Sequence, residues 1–474
     1  MSTGLHYPWD LVVLVIEVCL FVYFLFVNGY YVFTAVLALL NLPLFMRLHR
    51  VDPLRRSYSS LDTPVSMIVP AHNEEEVIVK TVRSLLAMEY PTFEVIVVND
   101  GSEDTTLEKL GKEFSLEPYP EAYRVSIPTE EVREIYRSAQ FPELIVIDKV
   151  NGGKADALNA GLNVARYPLV LSGDADSYYH SSTLQWMTEP FQKDGRTMVV
   201  GGAIAVGNDC IPESFGDPFN PSLPKNMLPR FQALEYLRAF LSNRLGWAPL
   251  NALGIVSGAC GLWRKDLLVE AGGYRRDTVW EDMEMTLRAH HMMRRKGRVY
   301  RVSFTPYPVC WTMVPNTLSQ LYTQRVLWHR HLSECMSIHR RLLFGGGALG
   351  WMTLPYLVFF EWLAPLVVAF GITFGIIGIV FGFLDWYSQL ILLGLVLTLA
   401  ILISFVAILL DEISFTAYRL RDIWNLFLAA FLENFGYRQF VTFASLMGFI
   451  NWAMRTPHRG RRPPGIFVKP YPKT

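Results

Sequence analysis

The sequence has little cysteine and no net charge, and each shortage excludes a class of protein. Its five cysteines are scattered, odd in number and form no CxxC pair, which argues against a disulfide framework or a structural zinc site and indicates a reduced, cytosolic main domain. Lysine plus arginine and aspartate plus glutamate both total 43, which argues against nucleic acid or another polyanion as the partner. Any phosphate-binding site must therefore be local.

Hydrophobic residues are abundant instead, at 51 % of a 474-residue chain with a mean hydropathy of +0.24. Both values are high for a soluble protein, and the length suits one large domain plus a membrane region. The long apolar runs lie at the two ends of the chain, at residues 10–46 and beyond residue 347. The lipid bilayer is therefore an expected partner.

The N-terminal run has a polar break at Asn28-Gly29-Tyr30. One membrane span needs about 20 residues, so we predict two short N-terminal transmembrane helices within residues 1–56. No basic region precedes the run and no small-residue cleavage site follows it, which argues against a cleaved signal peptide. The basic cluster from Arg47 to Arg56 predicts that the next domain lies in the cytoplasm.

The C-terminal region, residues 347–454, contains apolar stretches at 347–384, 388–410 and 425–453. We predict one span in the later part of the first stretch and one in the second. The third stretch carries Glu433, Asn434 and Arg438, which predicts a re-entrant or interfacial hairpin, and the basic tail of residues 455–474 is expected in the cytoplasm. The total is four spans, with five or six left open. Glu361 is a carboxylate within an apolar segment and is therefore a functional candidate.

Residues 57–320 have the pattern of an α/β domain, in which short apolar runs alternate with helix-like segments. The predicted strands are 64–70, 93–98, 144–147 and 169–171, and the predicted helices include 74–87 and 154–165. This alternation favours a mostly parallel sheet, with residues 107–140 as an irregular surface insertion. Asn73, Asp100 and Asp174 each follow a predicted strand, so they should converge on one crevice.

Asp174 and Asp176 stand directly after a strand-like run. Two carboxylates two residues apart can reach one hard cation where a strand ends, and such a cation can hold a diphosphate. A solvated turn is the alternative interpretation. Asp100 could accept hydrogen bonds from a nucleobase or a ribose, although such a residue is more often a helix cap.

Two further motifs are weak when taken alone. Residues 151–159 (NGGKADALN) open a helix, so backbone N–H groups and Lys154 could bind phosphate, or the segment could be a plain loop-to-helix junction. Asp282, in Trp280-Glu281-Asp282, could act as a general base for an acceptor hydroxyl. It could equally be acidic charge in the first turn of a helix.

Together these motifs resemble the membrane-bound family 2 inverting glycosyltransferases of the polysaccharide-synthase type, which include cellulose, hyaluronan and poly-N-acetylglucosamine synthases. The resemblance covers residues 64–335. Seven segments occur in the family's order: 69–75 (VPAHNEE), 98–102 (VNDGS), 152–159 (GGKADALN), Asp174-x-Asp176, 257–261 (SGACG), Glu281-Asp282 and 324–328 (QRVLW). The resemblance implies a Rossmann-like nucleotide-sugar transferase domain of the GT-A type, flanked by transmembrane helices, with interfacial helices at residues 321–346.

The resemblance also implies roles for matched positions. Asp282, with Glu281 beside it, would supply the catalytic base, and Asp174 and Asp176 would bind Mg²⁺ or Mn²⁺. The other implied contacts fall into two groups. Those to a UDP-sugar donor are Ala71, Asn73, Glu74, Asp100, Lys154, Asn159 and Asp174. Those to the glycan acceptor are Ser257, Gly258, Cys260, Gln324 and Trp328.

One position departs from the family pattern. The signature near the membrane is Gln-x-x-Arg-Trp, and Leu327 occupies the arginine position here. In the family that arginine contacts the donor diphosphate. Arg325 or Arg330 could substitute, because a guanidinium group suits phosphate. If neither does, the enzyme could be slow, tuned to another donor, or dependent on an accessory membrane or export subunit.

The resemblance favours a processive inner-membrane synthase that adds a hexose or N-acetylhexosamine from UDP-N-acetylglucosamine or UDP-glucose to a growing β-glycan. One alternative is a single transfer to a lipid or polyprenyl phosphate. A membrane-anchored scaffold with a degenerate site is the other alternative. The only feature that supports the scaffold alternative is Leu327 in the arginine position. The presence of all four acidic residues of the motifs argues against it: Asp100, Asp174, Asp176 and Asp282.

Overall fold

The structure is a computed structural model that describes residues 8–50, 62–210, 222–278, 281–414 and 418–455. The side chains of residues 8 and 43–50 are not described. Three features predicted above lie outside the described residues: the basic pair Arg55-Arg56, Trp280 of the catalytic motif and the basic tail that follows Arg455.

Ten strands of the described chain form one mixed sheet. They are β1 (Val65–Ala71), β2 (Phe93–Asp100), β3 (Leu116–Pro118), β4 (Val132–Ser138), β5 (Leu144–Lys149), β6 (Leu169–Gly173), β7 (Ser177–Tyr179), β8 (Thr197–Val206), β9 (Cys260–Arg264) and β10 (Arg301–Thr312). Their order across the sheet is β3-β4-β5-β2-β1-β6-β9-β8-β10-β7. The four predicted strands are the parallel central block β5-β2-β1-β6.

The prediction of a mostly parallel sheet is correct for this central block and for the pair of β8 with β10, but the sheet as a whole is mixed. β4 pairs antiparallel with β5, and β9 pairs antiparallel with both β6 and β8. The prediction that residues 107–140 are irregular is also wrong, because β3 and β4 extend the edge of the sheet there. β4 buries only Ile135 and Ser138 among its seven residues, so its mostly polar outer face hides the strand pattern.

Fifteen α-helices accompany the sheet in the described residues. They are α1 (Pro8–Arg50), α2 (Ile78–Leu86), α3 (Thr106–Phe114), α4 (Lys154–Val164), α5 (Thr183–Lys193), α6 (Met227–Leu237), α7 (Leu245–Trp247), α8 (Lys265–Glu270), α9 (Asp282–Arg295), α10 (Leu318–Ile338), α11 (Leu354–Tyr356), α12 (Ala364–Val380), α13 (Trp386–Ser414), α14 (Leu420–Leu432) and α15 (Tyr437–Ala453). Three π-helical segments adjoin them, at Arg238–Arg244, Leu349–Thr353 and Leu357–Trp362.

The N-terminal run is one continuous helix, so the prediction of two short transmembrane helices is wrong. α1 has 43 residues, which at 1.5 Å per residue makes it about 65 Å long. The Asn28 side chain donates to the Phe24 carbonyl 2.8 Å away, within the same helix. The polar group is satisfied without a break in the helix, which is why the polar break in the sequence does not become a turn.

Two described helices are long and apolar enough to cross a membrane, within Trp9–Leu42 and Trp386–Ser414. The pair Leu349–Trp362 and Ala364–Val380, bent by 44°, becomes a third if it is one broken span. The described chain therefore offers two or three spans where four were predicted. The second N-terminal helix is missing, and the span predicted in the later part of residues 347–384 is present only if the bent pair is one span. The last apolar stretch forms two helices, α14 and α15, as expected for a hairpin; its placement in the membrane stays a prediction.

A buried ionic cluster joins the catalytic domain to the C-terminal helices. The Arg238 guanidinium donates to both oxygens of Glu433, at 2.7 and 3.1 Å, and to Ser404 Oγ at 2.7 Å. Arg438 donates to the same carboxylate at 2.6 Å. Glu433 is fully buried, so its charge is balanced by two cations, one on each side of the domain boundary. This cluster fixes α13 and α15 against the segment that follows α6.

Gly161 marks the closest approach of α4 to the sheet. A Cβ atom there would lie 2.3 Å from Ile68 Cγ2 of β1. An alanine normally stabilises a helix by up to about 1 kcal/mol relative to glycine, but this clash should outweigh that gain. We expect Gly161→Ala to lower the thermal unfolding midpoint of the purified protein in detergent.

Gly111→Ala in α3 is the matched control, because nothing lies within 4 Å of its Cβ position. That variant should leave the unfolding midpoint unchanged or raise it. Equal midpoints for the two variants would contradict the packing of α4 on β1.

Candidate active site

The Asp174-x-Asp176 turn follows β6, as the sequence predicted, and a buried tyrosine holds it. The Tyr179 hydroxyl donates to the Ala259 carbonyl at 2.8 Å and accepts from the Asp174 N–H at 3.0 Å. A Cβ atom on Gly173 would lie 2.6 Å from this hydroxyl, so the strand must end in glycine for the contact to form. The turn is thereby tied to the loop that precedes β9.

Lys154 connects the two acidic motifs. It is the first residue of α4, after Gly153 with φ 87°, a backbone conformation that glycine adopts readily. Its Nζ lies 2.6 Å from Asp174 Oδ1 and 2.8 Å from Glu281 Oε1. The lysine and Glu281 side chains are only 7 % and 3 % exposed. Motifs that are far apart in the sequence therefore share one buried cation.

Asp282 begins α9 beside this cluster, and neighbouring groups fix its carboxylate. Oδ1 accepts the Met283 N–H at 2.6 Å, and Oδ2 accepts the Gly258 N–H at 3.2 Å. Burial acts to raise the pKa of Asp282, but His331 and the Lys154 cation outweigh burial and hold the pKa below its ordinary value. The group is therefore an ionised carboxylate at neutral pH, as a base for an acceptor hydroxyl must be.

Asp100 belongs to a second buried cluster behind the glycine loop. Its oxygens accept the N–H groups of Gly152 and Gly153 at 3.0 and 2.7 Å. Lys149, fully buried, lies 2.7 Å from both Asp100 and Asp156. Asp100 thus holds the loop that presents Lys154, and its predicted contact with the donor nucleoside stays a prediction.

One cavity of 1280 Å³ connects the acidic cluster with the membrane helices. At one end it is lined by Lys154, Asp174, Asp176 and Asp282, together with Ser257 and Gly258. At the other end it is lined by side chains of α1, α12 and α13. The cavity therefore brings together donor, metal, base and acceptor residues that the sequence predicted separately.

One face of α10 completes this cavity. Gln324 and Trp328, the predicted acceptor contacts, both line it. Arg325 lines it too, with its guanidinium 4.4 Å from the ring centroid of Trp328 and 2.5 Å from Glu235 Oε2. Arg325 is therefore a cavity residue whose charge is already partly balanced.

The other predicted substitute for the missing arginine lies elsewhere. Arg330 is paired with Glu334 one turn further along α10, at 3.2 Å, and is not among the cavity-lining residues. Leu327 does not line the cavity either. Of the two predicted diphosphate contacts, only Arg325 is on the cavity side of the helix.

Two predicted contact residues are buried away from the crevice. Both polar atoms of the Asn159 amide bond to the Tyr274 backbone, at 2.8 and 2.7 Å, so Asn159 holds the loop before the catalytic segment and does not face the donor. Cys260 is completely buried in β9, with Sγ 3.2 Å from Met187 Sδ. Its predicted acceptor contact is corrected to a packing role, because the first four residues of β9 are all buried and Cys260 packs against Met187.

The remaining donor residues line the carboxyl ends of β1 and β2. Ala71 ends β1, and the Glu74 N–H donates to Thr106 Oγ1 at 2.9 Å. Asn73 has φ 60°, and its side-chain oxygen accepts the Glu103 N–H at 2.8 Å. These residues lie near Asp100 and are not among the residues that line the cavity, so a crevice shared with Asp174 and a contact with a uridine both stay predictions.

The Asp174-x-Asp176 turn fits a divalent cation. Both carboxylates line the cavity, and the Asp174 side chain is 23 % exposed. The described residues contain no cluster of three or more His, Cys, Asp or Glu side chains that could hold a metal by themselves. Two carboxylates are nevertheless enough for Mg²⁺ or Mn²⁺ when substrate phosphates supply further oxygens.

Sequence reasoning missed Lys149, Asp156 and His331. Asp156 lies within the motif at residues 152–159, but nothing in the local pattern marks it as buried. Lys149 ends β5 and His331 lies on α10. Each of the three can be assigned to the site only from the side chains that it contacts in the folded structure.

Comparison with known proteins identifies the family. Residues 63–330 match the family model described as "Glycosyltransferase like family 2". The match covers more than half of the chain, and the chain therefore belongs to the family 2 glycosyltransferases. The expectation drawn from the seven motifs is confirmed at this level.

Related proteins agree with this assignment. The chain is 27 % identical over 265 residues to poly-β-1,6-N-acetyl-D-glucosamine synthases of Staphylococcus aureus (strain COL) and Staphylococcus epidermidis, a match that covers 56 % of this chain and 53 % of each relative. The chain spans about half the length of these curated relatives. A Pyrobaculum calidifontis mannosyltransferase, solved with GDP-mannose and Mn²⁺, superimposes with a TM-score of 0.51 at 16 % identity, covering 91 % of this chain and 100 % of that one. The shared fold is of the GT-A type.

The site should be sensitive to a single methyl group added at Gly258. A Cβ atom there would lie 3.1 Å from both Glu281 Oε1 and Lys154 Nζ, and 3.4 Å from the Asp282 Cβ. We expect Gly258→Ala to displace this cluster and to lower turnover by about tenfold or more, since small misplacements of catalytic groups are costly. Donor turnover and the unfolding midpoint would both be measured.

Gly195→Ala is the control, because nothing lies within 4 Å of its Cβ position. It should retain full activity. Unchanged turnover in Gly258→Ala would show that the cluster tolerates the displacement.

Proposed function

We propose that this protein is an inverting membrane glycosyltransferase that adds a sugar from a UDP-sugar, N-acetylglucosamine first among the candidates, to a growing β-linked polysaccharide and passes the product into the membrane. The catalytic domain would face the cytoplasm. Family membership supports the transferase activity. Similarity to the staphylococcal synthases supports the donor and the polymeric product.

The continuous cavity carries this proposal. It runs from Asp282 to residues deep in the membrane helices, among them Gly371 of α12 and Val396 of α13. Polar side chains line the route between them, including Gln324, Glu361 and Arg438. Sugar hydroxyls require such hydrogen-bonding partners away from water. A product formed at Asp282 would therefore enter the membrane region directly.

The proposed reaction uses the charges already described. Asp282 removes the proton from the acceptor hydroxyl, and the oxygen attacks the anomeric carbon from the side opposite to the leaving UDP, which inverts that carbon. Lys154 places a positive charge beside Asp174, where the leaving diphosphate would gather negative charge. The Trp328 ring offers a flat apolar surface to the acceptor sugar.

A divalent cation fits this scheme at Asp174 and Asp176. When bound, Mg²⁺ or Mn²⁺ would neutralise the departing diphosphate as a Lewis acid. The two carboxylates would orient that diphosphate at the end of β6. Gly258 and Met283 would meanwhile keep Asp282 aimed at the acceptor through their N–H groups.

The lining of the cavity within the membrane favours a second candidate, a single transfer to a lipid-linked acceptor. Many side chains there are aliphatic, for example Leu20, Val27, Val367, Ile372, Leu392 and Val396. Such a surface suits a polyprenyl chain better than a hydrated glycan. In this reading the lipid tail would occupy the groove while its polar end reached Asp282.

Replacement of Asp282 tests the assigned base. Asp282→Asn removes the proton acceptor but keeps the shape, so we expect transfer to fall by at least about 100-fold with UDP binding retained. UDP release and UDP affinity would be measured on the purified full chain. Asp277→Asn, which changes an exposed carboxylate, should behave like the unaltered protein. Retained transfer in Asp282→Asn would remove the base assignment.

Product size separates the two candidate functions. Purified protein in detergent would be supplied with Mn²⁺ and a panel of UDP-sugars, and the product would be sized and partitioned between water and organic solvent. A long water-soluble product made from one donor would support the synthase, and a single sugar in the organic phase would support the lipid acceptor. Removal of the metal with EDTA should stop UDP release, and added Mn²⁺ should restore it.

A further inference from the structure

Arg244 differs from the other basic residues of the cavity, because its charge has no acidic partner. The lysine and arginine side chains that line the cavity are Lys154, Arg238, Arg244, Arg325 and Arg438. All of these except Arg244 lie within 2.8 Å of a carboxylate oxygen. Within the part of the chain that the structure describes, the Arg244 guanidinium makes no hydrogen bond and no ion pair. Its N–H groups are therefore available to a ligand.

An aromatic ring holds this guanidinium in place. Arg244 ends the π-helical segment Arg238–Arg244, and its Cζ lies 4.0 Å from the ring centroid of Phe240, about one turn earlier. Phe240 is itself buried and stacks on Phe304 of β10, with ring centroids 6.3 Å apart. A cation is attracted to the face of such a ring, but the ring takes none of its hydrogen bonds. The guanidinium is thus positioned without being satisfied.

The charge of Arg244 persists although the side chain is sheltered from water. Burial lowers the pKa of Arg244 to about 10, and the Asp282 carboxylate acts in the opposite direction. The group is therefore a cation at neutral pH, close enough to Asp282 to be affected by its charge. A cation that is shielded from water and has no partner is costly. An anionic ligand that paired with it would remove that cost.

Arg244 lies where the catalytic cluster meets the membrane helices. The neighbouring residue Asn243 also lines the cavity, and its side-chain oxygen accepts from Thr34 Oγ1 of α1 at 3.1 Å. The membrane end of the cavity is lined by α1, α12 and α13 with side chains that are largely aliphatic, among them Val27, Val367 and Val396. The cavity therefore combines a carboxylate at Asp282, an unpaired cation and an apolar groove.

These three features match the three parts of a sugar that is joined to a lipid through phosphate. The sugar hydroxyl would meet Asp282, and the apolar tail would be buried in the aliphatic groove. The phosphate between them would meet Arg244, because the planar fork of a guanidinium fits two phosphate oxygens at once. A glycan without phosphate would leave the cation unpaired.

We propose that Arg244 is an acceptor-binding residue that recognises a phosphate group linking the acceptor sugar to a lipid. The role of Arg244 rests on the proposed function, in which Asp282 activates a hydroxyl of that sugar. Either candidate function can use such an acceptor, as the sole acceptor or as the primer from which a polymer grows. The donor diphosphate is bound separately, at Asp174 and Asp176.

Binding of two simple lipids to the full-length protein in detergent tests this role without any transfer. Farnesyl phosphate and farnesol have the same tail and differ by the phosphate. Mn²⁺ is left out, so that phosphate is not held by a metal at Asp174 and Asp176. The unaltered protein should bind farnesyl phosphate at least about tenfold more tightly than farnesol, since hydrogen bonds to charged groups are strong. In Arg244→Gln the two affinities should become equal.

Two further variants serve as controls. Arg196→Gln removes an exposed arginine that is paired with Asp194 and should keep the full preference for farnesyl phosphate. Arg244→Lys keeps the charge but loses the fork, so its preference should be intermediate. It also replaces Arg244→Gln if that variant does not fold, as judged by its unfolding midpoint. The affinity for UDP, measured with Mn²⁺, should be the same in all of these proteins.

The outcomes separate this role from the proposed function. No preference for farnesyl phosphate in the unaltered protein, or a full preference in Arg244→Gln, would overturn the role of Arg244 and leave the transferase activity untouched. Weaker UDP binding in Arg244→Gln with the lipid preference intact would also overturn it, because the arginine would then serve the donor. A fully active Asp282→Asn would overturn the assigned base, whereas the ratio of the two lipid affinities would still decide whether Arg244 binds phosphate.

Discussion

The contact of Lys154 with Asp174 and Glu281 is the interaction on which the site depends. One buried ammonium group lies within 2.8 Å of carboxylates from two distant segments, and leaving either carboxylate without it would be costly in the interior. The turn after β6 and the start of α9 therefore have to meet at α4. Asp282, next to Glu281, is brought to the same place by this constraint.

A second layer of buried charge supports the first. Lys149 lies between Asp100 and Asp156, and Asp100 holds the N–H groups of the two glycines that precede Lys154. These buried contacts hold the glycine loop in place. Gly153 has a positive φ because the chain must turn sharply there to begin α4 at the cluster.

The membrane region is joined to this site by charge as well as by apolar packing. Arg238 and Arg438 share the carboxylate of Glu433, and Arg238 and Arg438 also line the cavity. A change in the position of α15 would therefore also move side chains that line the cavity near Asp282. The transferase domain and the C-terminal helices therefore both contribute side chains to the cavity.

The sequence by itself determined the parallel core of the sheet, the glycine loop before Lys154 and the placement of Asp174 after β6, because each follows from local patterns of burial, turn chemistry and strand ends. Local pattern did not reveal that α1 is continuous, since the hydrogen bond of Asn28 to its own helix removes the break. Nor did it reveal that Asn159 and Cys260 are buried or that His331 faces Asp282. Those facts depend on which segments the folded chain brings into contact. The residue spacing within one segment does not determine which other segment packs against it.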